Sequence, residues 1–174
     1  MGTITISSLT EESDIVAVGY LTKVTETNER TTLPYGNGKI DVTGMEAVFD
    51  IDKVFKGELK GDKVILHYYR SAKDPHEMIN GPFWLNLEIK GNRIAWDQET
   101  GKEYRTSTYL LFMKKTDDGR YMPTSGYIDS AFSIAIIQGM LDLFGSFKME
   151  RGNALKWDQL KPDKNLFPKS NFNK

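Results

Sequence analysis

A chain of 174 residues with a formal net charge of −1 has the size of one domain and carries no long-range field that would attract phosphate backbones or anionic lipid. It contains no cysteine, which excludes disulfides, thiolate nucleophiles and thiolate metal sites. No apolar run approaches the roughly 20 residues that cross a bilayer, so we expect no membrane span.

The first strand is predicted over residues 14–24, where apolar side chains occupy both alternating sets of positions, as in a strand that is covered on both faces. Residues 25–44 are polar and contain the run Pro34-Tyr35-Gly36-Asn37-Gly38, which is rich in turn-forming residues. We therefore predict a long, mobile loop over residues 25–44 that connects the two strands of a hairpin.

A second strand is predicted from Met45 onward, because apolar residues alternate with polar ones there. The inward positions are Met45, Ala47, Phe49 and Ile51. A turn over residues 57–62 leads to a third strand, residues 63–69. His67 is out of phase with the apolar positions of that strand, so we expect it to be an exposed histidine.

Further strands and one helix are predicted downstream. Residues 84–90 and 92–96 flank Gly91 as the arms of a hairpin would, and residues 108–115 are apolar almost throughout, as in a central strand. Apolar spacings of three and four predict a helix over about residues 130–144. We divide the chain into one domain, residues 1–147, and a partly ordered C-terminal extension, residues 148–174.

Three segments carry a resemblance to a known family: residues 13–19, residues 49–57 with their Phe-Lys-Gly corner, and residues 109–112 followed by Asp118-Gly119-Arg120. Together they resemble the netrin-like domain typified by tissue inhibitors of metalloproteinases. The resemblance implies a mainly β fold, an OB-like antiparallel barrel with accompanying helices. Those inhibitors chelate the catalytic zinc of their target through an amino-terminal Cys and carry several disulfides. This chain has no Cys, so zinc-directed inhibition is not carried over.

The function that the resemblance implies is a non-catalytic binding module, an exported or cell-surface domain that contacts an unknown protein partner. The resemblance implies an extracellular, cell-surface or periplasmic location, with Met1-Gly2 in place of a removed leader, and leaves a cytoplasmic location as the alternative. Loops on a rigid barrel are the first candidates for a contact surface, residues 25–44 before residues 74–82. The candidate binding residues are Tyr35, Asn37, Tyr69, Arg70 and His76.

Two other functions fit the residues. OB barrels bind single-stranded nucleic acid through aromatic side chains and a basic groove, and Tyr68, Tyr69 and Arg70 form the local candidate for such a site. A hydrolase or metal-dependent enzyme would use His67 and His76, the two histidines of the chain, with the nearby carboxylates of Asp74 and Glu77. Their spacing matches no compact metal motif, so we predict no metal, no cofactor and no catalytic residue.

Overall fold

A computed structural model describes residues 6–73, 82, 84–91, 93–96, 100–137, 146–149 and 154–156. Within these residues lie one α-helix, α1 (Ile6–Glu12), a short 3-10 helix (Ser130–Ser133) and ten strands. The strands are β1 (Ile15–Tyr35), β2 (Gly38–Lys56), β3 (Lys63–Ser71), β4 (Arg93–Trp96), β5 (Glu103–Thr106), β6 (Thr108–Lys115), β7 (Tyr121–Pro123), β8 (Ile134–Ile137), β9 (Ser146–Met149) and β10 (Ala154–Lys156). The protein is mainly β, as predicted. In the described part, neither helix is long and apolar enough to cross a membrane.

Five strands close into a ring. Their order is β1-β2-β3-β7-β6, and β6 pairs with β1 to complete the circle. The pairings in the ring are antiparallel except between β3 and β7, which run parallel where Leu66 meets Tyr121. Strands β8, β9 and β10 extend the sheet outward from β6, and β4 and β5 form a separate pair.

The core lies inside this ring and confirms the alternation predicted for β2. Met45, Ala47 and Phe49 are buried, and Ile51 is partly buried against the same cluster. The Phe49 ring meets that of Tyr109 on β6 edge-on, with ring centroids 5.5 Å apart. An edge-to-face pair of this kind adds to the free energy that burial of the two rings contributes.

The Phe-Lys-Gly corner at the end of β2 has a structural role. Gly57 has a φ of 80°, and a Cβ at this position would collide with the carbonyl oxygen of Asp14. The Lys56 ammonium donates to the carbonyl oxygens of Thr10 and Glu11, at 2.8 and 2.9 Å, in the last turn of α1. The corner therefore ends β2 and caps α1 at once.

The predicted loop over residues 25–44 is wrong, because β1 and β2 continue through it and meet at a two-residue turn. Gly36 supplies the positive φ, 57°, that this turn requires. β-branched residues such as Thr31, Val42 and Ile40 favour the extended conformation in both strands, and the turn-forming run occupies only the tip. The outer part of this hairpin, residues 30–43, is called the hairpin arm; it begins at the pair formed by Arg30 and Thr43 and ends at the turn.

Two other predicted elements are also wrong. Residues 130–137 form the 3-10 helix and then β8, so the predicted helix over residues 130–144 does not start as an α-helix; residues 138–144 lie outside the described residues. Ile134 and Ala135 pair with β6 and are buried. This apolar segment is a strand because β6 offers it a partner for its backbone hydrogen bonds. The predicted hairpin around Gly91 is replaced by the pairing of β4 with β5. Most of residues 148–174 lie outside the described residues, and the division at residue 147 stays a prediction.

Candidate binding surface

The hairpin arm leaves the barrel at a β-bulge. Glu26 pairs with Met45 and Arg30 pairs with Thr43, so three residues of β1 lie opposite Gly44 alone. The Thr27 hydroxyl donates to the carbonyl oxygen of Gly44 at 3.0 Å and accepts the backbone N–H of Glu29 at 3.2 Å. The bulge turns the Glu29 side chain toward β3.

Gly44 provides the space that the bulge needs. A Cβ added to it would lie 2.5 Å from Oγ1 of Thr27 and 2.9 Å from Cβ of Glu29. Real Cβ atoms do not approach other atoms so closely, so the bulge in its present form requires glycine at this position.

Ion pairs fix the bulge from its solvent side. One guanidinium nitrogen of Arg30 donates to the carbonyl oxygens of Thr27 and Glu29, at 2.7 and 2.9 Å. The other nitrogen pairs with the Glu26 carboxylate at 2.6 Å, and Arg70 on β3 pairs with the second oxygen of Glu26. These groups are exposed, so each pair contributes little free energy by itself, but together they hold the bulge to β3.

A polar cluster of Glu29, His67, Tyr69 and Tyr127 lies beneath the bulge. The Nε2 atom of His67 is 2.9 Å from one Glu29 oxygen, and the Tyr69 hydroxyl donates to the other. The Nδ1 atom of His67 is 3.2 Å from the hydroxyl of Tyr127. The three rings meet edge-on in a triangle, with centroids between 4.8 and 5.6 Å apart.

The hydrogen-bond roles in this polar cluster follow from its chemistry. An ionised carboxylate only accepts, so the Nε2 atom of His67 donates to Glu29. In the neutral ring, Nδ1 then accepts the Tyr127 hydroxyl. The hydrogen bond from Tyr69 and the proximity of His67 lower the pKa of Glu29 against the opposing effect of burial. Burial and the bond to Glu29 raise the pKa of Tyr69, and burial raises that of Tyr127.

Arg120 closes the surface on the side of β7. It pairs with Glu46, the residue opposite His67 on β2, at 2.8 Å, and its other nitrogens bind Asp118. These hydrogen bonds lower the pKa of Asp118 and raise that of Arg120. The turn between β6 and β7 is thereby joined to the outer face of β2.

The two faces of the hairpin arm differ in polarity. Residues on opposite strands that pair directly share a face, and the faces alternate along each strand. The apolar face of the arm carries Leu33, Tyr35, Ile40 and Val42. The polar face of the arm carries Thr32, Pro34, Lys39 and Asp41. Exposure along the apolar face rises from 1% at Val42 to 36% at Tyr35, next to the turn.

The apolar face of the arm continues onto the outer face of the barrel. β2 pairs with β3 without a register shift between Val42 and Asp50. Val42, Glu46, Tyr69 and His67 consequently lie on one side of the sheet. One surface therefore runs from Tyr35 at the tip of the arm to the polar cluster and on to Glu46.

The structure places the predicted binding residues in three settings. Tyr35 and Asn37 are exposed at the tip of the hairpin arm. Tyr69 is buried under Glu29, and Arg70 is exposed in its ion pair with Glu26. His76 lies outside the described residues. The four predicted residues that the structure describes therefore do not form one compact site: Tyr35 and Asn37 lie at the tip of the arm, whereas Tyr69 and Arg70 lie at its root.

His67 lies on the outer face of β3, as its position in the strand pattern predicts, but the predicted exposure is wrong. It points away from the core and is nevertheless only 3% exposed, because Glu29 and Tyr127 cover it. Tyr68 is a core residue, so neither Tyr68 nor Tyr69 offers an open face on which a base could stack. Among the described residues, no three His, Cys, Asp or Glu side chains are grouped so that they could hold a metal ion.

Sequence reasoning missed Glu29 and Tyr127. Both lie in segments without apolar alternation, and the bulge that turns Glu29 toward β3 has no sequence signature beyond Gly44. Comparisons of the chain with protein-family models, with curated proteins and with solved structures found no match.

Proposed function

We propose that this protein is a non-catalytic binding module with an OB-like barrel that engages a protein partner through its hairpin arm. The observation that carries the proposal is the arm itself, a paired ribbon whose apolar face ends in the exposed Tyr35. Tyrosines that offer both an apolar ring and a hydroxyl are enriched at protein interfaces. A resemblance to netrin-like domains, which are exported, supports a location outside the cytoplasm.

The ring of five strands supports the OB-like part of the proposal. OB barrels are five-stranded Greek-key barrels that bind their ligands on the face of strands 2 and 3 and on the adjoining loops. Here the arm joins β1 to β2, and the polar cluster lies on the outer face of β2 and β3. The arm and that face therefore occupy the positions where OB barrels make contacts.

The arm contacts its partner through side chains and not by adding a strand to the partner's sheet. The pair formed by Tyr35 and Gly38 closes the turn and is hydrogen-bonded, so the next pair, Pro34 with Lys39, is not. The nitrogen of Pro34 therefore faces the outer edge of β1, where proline has no hydrogen to donate. The bulge at Glu26–Arg30 interrupts the same edge, and both features discourage edge-to-edge pairing.

A photo-crosslinking residue at Asn37 tests the proposal, with the same residue at Asp117 in the β6–β7 turn as the matched control. We expect a protein from native extract to be crosslinked at position 37. The identified protein is then purified, and its Kd is measured for Tyr35→Ala and for Thr32→Ala on the polar face. Loss of a central interface tyrosine costs about 2 kcal/mol or more, which weakens binding roughly 30-fold, whereas Thr32→Ala should be near neutral. Equal Kd values for the two variants contradict the proposal.

A further inference from the structure

Glu29 connects three parts of the molecule that are far apart in sequence. It belongs to the bulge at the root of the hairpin arm, and it binds His67 and Tyr69 on β3. His67 in turn binds Tyr127, which follows β7. We propose that Glu29 is an acid-releasable latch: its carboxylate holds the root of the arm against β3, and protonation of that carboxylate frees the arm from the barrel.

The latch depends on a carboxylate that accepts two hydrogen bonds at once. One Glu29 oxygen accepts a hydrogen bond from Nε2 of His67, and the other accepts a hydrogen bond from the Tyr69 hydroxyl. A protonated carboxyl group has one donor and less capacity to accept, and it no longer provides charge-assisted bonds. The Glu29 side chain is 40% exposed, so protons from solvent reach it although His67 below it is buried.

The groups around Glu29 favour its ionised form at neutral pH. His67 and Tyr69 on β3 donate to it, and Arg120 attracts it across the cluster. The nearby carboxylate of Glu46 is engaged by Arg120. The remaining titratable or charged groups close to the latch are Tyr127 after β7, Asp118 in the β6–β7 turn, Arg70 on β3, and Glu26 and Arg30 on β1.

The direction of the pH response follows from the lowered pKa of Glu29. Unfolded or released, this glutamate titrates near the ordinary value of about 4.3. A group whose pKa is lower when the latch is closed stabilises the closed form at pH values above its ordinary pKa. That stabilisation is lost as the pH falls through the lowered value. The arm is therefore held at neutral pH and opens in acid.

Hydrogen exchange measured on the whole chain tests the latch. The amides of Glu29, Thr31 and Val42, which are hydrogen-bonded at the root of the arm, are compared with those of β6 at pH 7 and at about pH 3, below the ordinary glutamate pKa, each corrected for its intrinsic exchange rate. Because Glu29 titrates at about 4.3 when it is released, its protonation at pH 3 weakens the closed form by at most about 20-fold, and protection at the root should fall in acid by up to that factor. Protection of β6 should stay above that of the root at both pH values, because β6 exchanges only when the barrel opens. Equal protection of the root at both pH values, or a fall of the root and β6 to the same protection in acid, overturns the latch.

Two variants separate the latch from the other carboxylate of the bulge. Glu29→Gln keeps the shape but removes the charge, so its arm root should be poorly protected at both pH values. Glu26→Gln, the control, should retain the acid-dependent loss. If Glu29→Gln does not fold, Tyr69→Phe removes one of the two bonds and should reduce the acid-dependent change. A wild-type pH response in Glu29→Gln, or in Tyr69→Phe, overturns the proposal.

Release of the arm in acid does not depend on the proposed function. Only the effect of this release on partner binding rests on that function. If the arm opens in acid while substitutions in the arm leave the Kd for the partner unchanged, the latch stands and the arm is not the contact surface. If trimming the arm abolishes binding while its root is equally protected at both pH values, the contact surface stands and the latch is refuted.

Discussion

Replacement of Gly44 by alanine tests the geometry of the bulge. Gly44 lies in extended backbone of β2, outside the set of glycines with positive φ, so alanine meets no backbone strain there. The added Cβ would instead lie 2.5 Å from Oγ1 of Thr27 and 2.9 Å from Cβ of Glu29. Either the bulge moves or the Thr27 side chain rotates and loses its bond to the Gly44 carbonyl oxygen.

The expected loss of stability combines three contributions. Overpacking by one methyl group in a filled site costs about 1 to 3 kcal/mol. Loss of the Thr27 hydrogen bond costs about 1 kcal/mol more. Alanine lowers the conformational entropy of the unfolded chain, which offsets about 0.4 to 1 kcal/mol. We therefore expect Gly44→Ala to reduce the free energy of unfolding by about 1 to 3.5 kcal/mol.

Urea unfolding of Gly44→Ala beside Gly38→Ala measures this effect. Gly38 also lacks a positive φ, but the nearest atom to its added Cβ is the carbonyl oxygen of Tyr35 at 3.9 Å, so alanine fits there. Gly38→Ala should be neutral or slightly stabilising. If Gly44→Ala is as stable as Gly38→Ala, the bulge does not need the space that glycine leaves, and the placement of Glu29 loses its basis.

Three further predictions concern the core, the pH response and metal. Phe49→Ala should cost about 3 to 5 kcal/mol in urea unfolding, because Phe49 is fully buried against Tyr109; a near-silent change would contradict the core as described. Because the pKa of Glu29 is lowered and those of Tyr69 and Tyr127 are raised, the free energy of unfolding should fall below about pH 4 and above about pH 10, and Tyr69→Phe should lessen both losses. A chelator should leave the Tm unchanged, since the chain has no Cys and the described residues form no metal cluster; a drop in Tm that one metal ion reverses would refute this.

Period-two alternation made the core of the barrel predictable. The inward positions of β2 could be read from sequence because Met45, Phe49 and Ile51 are each followed by an acidic residue. The same rule placed His67 on the outer face correctly. It could not give the exposure of His67, because the side chains that cover it come from a bulge and from the segment after β7, which are distant in sequence.

Predictions from local composition were wrong in two segments whose conformation is determined by tertiary contacts. Residues 25–44 are polar because the strands of the hairpin arm are largely exposed, and polarity without a core partner resembles a loop. Residues 134–137 have apolar spacing that fits a helix or a strand, and the free edge of β6 selects the strand. The tip residues Tyr35 and Asn37 were predictable because a cluster of turn-forming residues is a local signal.

Partner binding by a variant with a trimmed arm tests the central claim most directly. Hydrogen-bonded pairs alternate along the arm, so the pair formed by Thr31 and Val42 has the same geometry as that of Tyr35 and Gly38. Residues 32–41 can therefore be replaced by Gly-Asn, with Thr31 and Val42 as the new closing pair. The partner found by crosslinking should bind this variant at least about 30-fold more weakly, as expected for loss of an interface hot spot, while the Tm stays unchanged. An unchanged Kd at an unchanged Tm would contradict the assignment of the arm as the binding surface.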